Sequence, residues 1–218
     1  MSIVASAVTV ICTALLILGL AVVLMLTPLY IHAALDDAGS AAYLGVTPAQ
    51  ARDLSDRTVT ELVFGPATFA FPMEDGGPSF YDAAEASHLR DARAVFYGFL
   101  AAVVVALVVF AAGVVRSGRA APFWRAVARG ALGLSAAFAI VGALFLVAFD
   151  AAFTLFHEVF FPGGNWSFDP RTEHMVQLYP IPFWERTTTV LGALVIVLGL
   201  AVWWLARRRA VALERGAA

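Results

Sequence analysis

The residues in this chain best suited to moving protons are two histidines, each standing where a long apolar run meets charged sequence. His157 follows the third run and opens the stretch Phe156 to Pro170, and His88 stands just ahead of the second run. An unperturbed imidazole titrates near neutrality, so one ring can accept a proton while another donates one. Acyl transfer from an ester needs that pair: a base for the attacking amine or hydroxyl and an acid for the departing alkoxide. No serine sits in a nucleophile-elbow context, which favours direct attack by the acceptor, or a transient acyl-imidazole, over an acyl-serine. Asp91 follows His88 by three residues and shares its helical face, where a carboxylate orients the ring and raises its basicity.

Other chemistries fare worse. His157-Glu158 starts like the zinc-protease signature, but the second histidine would fall at position 161, which is Phe161. Glu158 is also badly placed to hold His157, because adjacent helical residues point about 100° apart. A zinc site could be assembled from His88, His157, His174 and an acid, yet no spacing argues for one, and the reading carries no metal ligands. Cys12 is the only cysteine, so disulfide frameworks and thiol redox pairs are excluded. Glycine-rich phosphate loops are absent, and nothing supports a nucleic-acid partner.

The elements that must position the histidines are membrane helices. The chain has 218 residues, 61% hydrophobic and 14% charged, with a mean hydropathy of +0.83, which is too apolar for a soluble globular domain. Residues 4–27, 94–115, 130–149 and 187–206 each run uncharged for the roughly 20 residues a bilayer core requires. The loop 116–129 carries four arginines and no acid, and the tail 207–218 carries four arginines against Glu214, so both are expected in the cytoplasm. Residues 28–93 and 150–186 then face outward with a net charge of −9, against +7 inside, and hold all four histidines. The expectation is an all-α transmembrane fold: a single membrane domain over residues 1–218, a four-helix bundle with both termini inside and a small outer cap of mixed or irregular structure.

Within the cap, Thr47-Pro48-Ala49-Gln50 reads as a capping box starting a helix to about Arg57. Residues 58–71 are open to strand or interfacial helix. Asp75-Gly76-Gly77-Pro78 reads as a turn, and Ser87 as the N-cap of a helix running from His88 into the second span. Arg90 and Arg93 would face headgroup phosphates, and the aromatic residues of 150–186 read as an interfacial belt.

His88-Leu89-Arg90-Asp91, Phe156-His157, Asn165-Trp166-Ser167-Phe168-Asp169-Pro170, Leu178-Tyr179-Pro180 and Phe183-Trp184 together resemble the four-span bacterial membrane family that includes the lipoprotein intramolecular transacylases. The resemblance implies a cofactor-independent acyltransferase of the bacterial cell membrane, with its site on the extracytoplasmic face. Its partners would be membrane phospholipid and the lipidated N-terminus of bacterial lipoproteins. It would move the sn-2 acyl chain of a diacylglyceryl-cysteine onto the cysteine's own α-amino group, leaving a lyso-form lipoprotein. His88 and His157 would be catalytic, with Asp91, Asn165, Trp166, Asp169 and Glu173 in support; Glu173 stands where the family favours aspartate. Two readings from other classes remain at this level: a non-catalytic membrane module with an acidic interaction cap, and a metal-dependent lipid hydrolase.

Overall fold

The structure is a computed structural model that describes residues 1–216. Its described elements are α-helices: α1 (Ile3–Met25), α2 (Pro28–Ala38), α3 (Ser40–Leu44), α4 (Pro48–Val63), α5 (Ala83–Ser117), α6 (Ala121–Val147), α7 (Phe149–Phe160), α8 (His174–Leu178) and α9 (Ile181–Arg215). Helices α1, α5, α6 and α9 are long and apolar enough to cross a membrane. The contacts divide the chain into two compact units, one of residues 1–24, 98–143 and 190–218, the other of residues 25–97 and 144–189.

The first unit holds most of the apolar length. Side chains such as Val104, Leu107 and Val108 on α5 are more than half exposed, as lipid-facing residues are. Where helices meet, small residues let backbones approach, the usual basis of packing in a bilayer that offers no hydrophobic drive between helices. A Cβ added at Gly130 would come within 2.6 Å of the Val10 carbonyl oxygen, and one at Gly199 within 2.2 Å of Ser135 Oγ. The buried contacts of this unit centre on Ile17, Ala21, Ala131 and Val195, and on Phe123, Val127, Ala128 and Ala206.

The second unit is a helical body around Ile31, Leu35, Leu54, Phe69, Phe80, Tyr81, Leu89, Leu178 and Phe183. It is more regular than a mixed cap. The capping box at Thr47 forms: Gln50 N–H donates to Thr47 Oγ1 at 3.3 Å, and Thr47 N–H to Gln50 Oε1 at 3.0 Å. The helix it starts runs on to Val63, six residues past Arg57, so the ambiguous residues 58–63 are helical. The expected turn at residues 75–78 also forms, with Gly77 N–H donating to Glu74 O at 3.0 Å, Gly76 at φ +78° and an isolated bridge pairing Pro72 with Ser79.

One expectation about the helices that carry the histidines needs correction. Ser87 is not the N-cap of α5. The helix begins at Ala83, capped by Asp82, whose Oδ1 accepts from the N–H groups of Ala84 and Glu85 at 2.8 Å each, while Glu85 Oε2 accepts from Asp82 N–H at 2.8 Å. This acidic capping box satisfies donors that a serine five residues later could not reach. The helix of the third apolar run is separate from the one that carries His157. It stops at Val147, Ala148 leaves helical geometry at φ −145° and ψ 51°, and a separate helix carries Phe149 to Phe160.

Candidate active site

Both histidines of interest belong to the second unit, and its local structure brings them together. His88 lies on the second turn of α5 and His157 in the last turn of α7. Both are buried, at 7% and 9% exposure. Their ring centroids are 6.1 Å apart with planes 26° from parallel, a gap one substrate group can bridge.

The tautomer of His157 follows from its partner. Its Nδ1 lies 2.8 Å from the carbonyl oxygen of Phe153, one turn back on the same helix. A carbonyl only accepts, so Nδ1 carries the proton and Nε2 holds the free lone pair. Glu158 is exposed and takes no part. The Nδ1 of His88, by contrast, is buried without a hydrogen-bond partner. Such an atom costs of order 1–3 kcal/mol in a folded protein and calls for a functional account.

Aromatic rings enclose the pair. Phe161 touches both imidazoles, with centroids 4.6 Å from His88 and 5.6 Å from His157. Phe153 and Trp166 lie 4.1 and 5.1 Å from His157, and Phe168 lies 5.7 Å from His88. Neither histidine is in a membrane-spanning stretch: His157 lies on α7, and His88 precedes the uncharged run from Ala94 among Glu85, Arg90, Asp91 and Arg93. Burial among the rings pushes His88 down from 6.5 to about 4; the nearby His157 adds to the fall, while Asp91 and the Asn165 side chain partly oppose it. Burial also lowers His157, against the pull of its bond to Phe153. Both rings are therefore neutral at neutral pH.

The supporting residues act at one remove. Asp91 does not bond the imidazole directly as its spacing suggested; its Oδ2 accepts from Asn165 Nδ2 at 2.6 Å. With its amide nitrogen committed to that carboxylate, Asn165 has its oxygen left for a donor, and its side chain interacts with His88. Asp169 and Glu173 build the turn that follows. Glu173 Oε2 accepts from the Asp169 N–H, and the Asp169 carboxylate takes Arg171 Nη2 at 2.6 Å and Nε at 3.0 Å, so these two acids shape the segment that carries Asn165, Trp166 and Phe168 rather than touching the imidazoles.

The remaining histidines are structural. His174 stacks on Phe80 with centroids 4.7 Å apart and hydrogen-bonds its carbonyl; His32 Nε2 lies 2.8 Å from Asp56 Oδ1. Among the described residues no three side chains of His, Cys, Asp or Glu gather to hold a metal ion, so the zinc set of His88, His157 and His174 is not assembled.

A two-histidine, ring-lined site of this kind can be compared with known proteins. A family model described as "Lipoprotein intramolecular transacylase Lit" matches residues 6–184. The chain belongs to the lipoprotein intramolecular transacylase family. No curated protein matches the sequence. Among solved structures, the in meso structure of the membrane-integral Lit from Bacillus cereus aligns with a TM-score of 0.78 at 17% identity, covering 97% of this chain and 96% of that one. A form of the same Bacillus cereus protein with a histidine-to-arginine mutation aligns with a TM-score of 0.73 at 15% identity, covering 99% and 94%. The chain is thus a multi-pass bacterial membrane protein of an acyltransferase family, with four helices long and apolar enough to cross a membrane and the fold of that membrane-integral structure.

Some residues of this transacylase-family site were not legible beforehand. Glu85 is 1% exposed, and its Oε1 accepts from Met175 N–H at 2.6 Å while Oε2 caps Asp82. It thereby ties the first turn of α5 to α8, and Asp82-x-x-Glu85 was the signal for the nearer half of that bond. Arg93, expected at a headgroup, instead donates to the Gly65 carbonyl at 2.6 Å and to that of Glu61, closing the end of α4.

Proposed function

We propose that this chain carries out the transacylation of its family at the His88–His157 pair, on the extracytoplasmic face that the arginine distribution implies. The observation that carries the reading is the fixed tautomer of His157: a buried imidazole whose Nε2 lone pair is held free by a bond from Nδ1–H to the Phe153 carbonyl, 6.1 Å from a second neutral imidazole. The substrate is a lipoprotein whose N-terminal cysteine bears a diacylglyceryl group, its chains entering from the surrounding phospholipid.

The α-amino group has an ordinary pKa near 8 and is partly neutral already, so a modest base suffices. It attacks the sn-2 ester carbonyl. A nitrogen–carbon bond forms, and the proton it displaces passes to His157 Nε2. The carbon–oxygen bond to glycerol then breaks, and the alkoxide takes a proton from His88, which is restored by the proton that His157 had accepted, so both imidazoles end neutral as they began. The conjugate acid of His88, with its pKa near 4, gives a proton up readily once it holds one. One proton leaves nitrogen and one reaches oxygen, with no oxidant, reductant or cofactor in the balance. Asn165, braced by Asp91, orients His88, and Trp166, Phe161 and Phe168 keep the pair dry.

The test is expression in a host lacking lipoprotein N-acylation, with lipoprotein N-termini read by mass spectrometry. The lyso form is expected with the native chain and lost in His88→Ala and His157→Ala. Absence of the lyso form with the native chain, or its persistence in both variants, would overturn the reading.

A further inference from the structure

At the arginine-rich end of the first unit, α1, α6 and α9 border an open groove of about 990 Å³ that the proposed reaction does not use. Its walls include Val10, Ile11, Trp203 and Val211, and Arg125, Arg129 and Arg207 stand along it. One of these charges is neutralised: Arg125 Nη1 lies 3.2 Å from Glu214 Oε1. The other two are not. Arg129 Nη2 donates to Ser6 Oγ at 2.7 Å, and the Arg207 guanidinium lies 5.6 Å from the Trp203 ring centroid. Among the described residues neither has a carboxylate partner. The groove therefore joins an apolar wall on membrane-spanning helices to two uncompensated guanidiniums, both held in place by neutral groups.

We propose that this groove is a binding site for an anionic glycerophospholipid of the cytoplasmic leaflet, with its phosphate between Arg129 and Arg207 and its acyl chains along Val10 and Ile11. Three physical points converge. Charge bias puts this end of the helices in the cytoplasm. Guanidinium presents paired donors that match phosphate oxygens. Basic pockets between membrane helices on that side are matched to anionic headgroups. Arg207 gains further from Trp203, whose ring face stabilises a cation and suits the headgroup layer. The occupant is a membrane lipid rather than free phosphate because the apolar wall is continuous with the spans. The inference is independent of the transacylase reading, since the groove and the histidine pair share no residue.

The test uses the full chain, purified in detergent, stripped of lipid, and titrated with phosphatidylglycerol or phosphatidylethanolamine under native mass spectrometry. Phosphatidylglycerol is expected to be retained in preference, and Arg129→Gln/Arg207→Gln to weaken it by roughly 30-fold. Arg129→Lys/Arg207→Lys, which keeps the charge but loses the paired donors, should weaken binding less than the Gln pair, and Arg116→Gln/Arg119→Gln, which removes two arginines outside the groove, should retain most of it. Equal binding of the two lipids, or equal loss in the Arg116/Arg119 variant, would overturn the proposal. So would inorganic phosphate displacing the lipid at matched concentration, or a second copy of the chain occupying the groove, seen as a dimer abolished by Arg129→Gln/Arg207→Gln.

Discussion

Asp91 can serve His88 in two ways, and a double-mutant cycle separates them. Its spacing from His88 suggests a carboxylate acting on the ring itself, whereas its 2.6 Å bond goes to Asn165. Replacing Asn165 by Ala removes the amide that interacts with His88 and strands the Asp91 carboxylate. The loss of one hydrogen bond to a polar partner is worth about 1–1.5 kcal/mol, or about tenfold in rate. Asp91 is exposed, so Asp91→Asn, which loses only the charge assistance on Asn165, should cost about fivefold. If Asp91 acts through Asn165, the double variant falls no further than Asn165→Ala, about tenfold below native. If the two residues act independently, the losses multiply to about fiftyfold. The assay is the initial rate of lyso-form appearance on a defined diacylglyceryl lipopeptide, read by mass spectrometry, with His88→Ala as the floor. A fiftyfold loss in the double variant would refute the relay, and an Asp91→Asn enzyme as inactive as His88→Ala would refute the supporting role altogether.

The remaining expectations concern titration, the buried acid and helix packing. The substrate α-amino group sets one acid limb of kcat/KM at about pH 8. Because burial lowers His157 below its ordinary 6.5, a second, steeper limb should lie below pH 6.5, and Phe161→Ala, which admits water to both rings, should move that second limb upward; a second limb at or above 6.5 in the native enzyme would contradict the buried pair. His88, lowered to about 4, contributes stability that is whole above pH 6.5 and is lost as pH falls toward 4, so thermal unfolding in detergent should drop across that window and drop less in His88→Gln. Glu85→Ala leaves the Met175 N–H without its acceptor and should cost about 2–3 kcal/mol of stability, visible as a lower unfolding temperature that Glu85→Gln partly restores. Gly130→Ala forces a methyl to within 2.6 Å of the Val10 carbonyl and should reduce yield and melting temperature, while Gly133→Ala, where a Cβ meets nothing within 4 Å, should be neutral by the same measurements.

How much of this was written in the sequence varies by element. The four spans were legible because an uncharged run of bilayer length has few other uses, and Thr47-Pro48-Ala49-Gln50 because a capping box is a local device. The start of α5 is ambiguous in the sequence because two capping signals, Ser87 and Asp82-x-x-Glu85, lie five residues apart, and the acid box wins by satisfying more donors. The break at Ala148 carries no glycine or proline to announce it. At the site, His88 and His157 could be singled out by type and place, and Asn165 by the family resemblance. Their geometry could not: the Phe153 carbonyl is a backbone atom with no residue signature, and Asp91 and Asn165 stand 74 positions apart.

The bond from His157 to the Phe153 carbonyl also bears on which acyl acceptor the site can use. A carboxylate behind an imidazole stabilises the imidazolium and makes a base strong enough to activate a hydroxyl. A neutral carbonyl lends no charge, and the aromatic rings around His157 lower its basicity further. A base so weak serves an amine, which attacks with its own lone pair and becomes acidic only once bonded to carbon. Water needs its proton drawn away as it attacks. In the proposed mechanism the helix that orients the ring therefore withholds the strength that hydrolysis requires, which favours the amine over water.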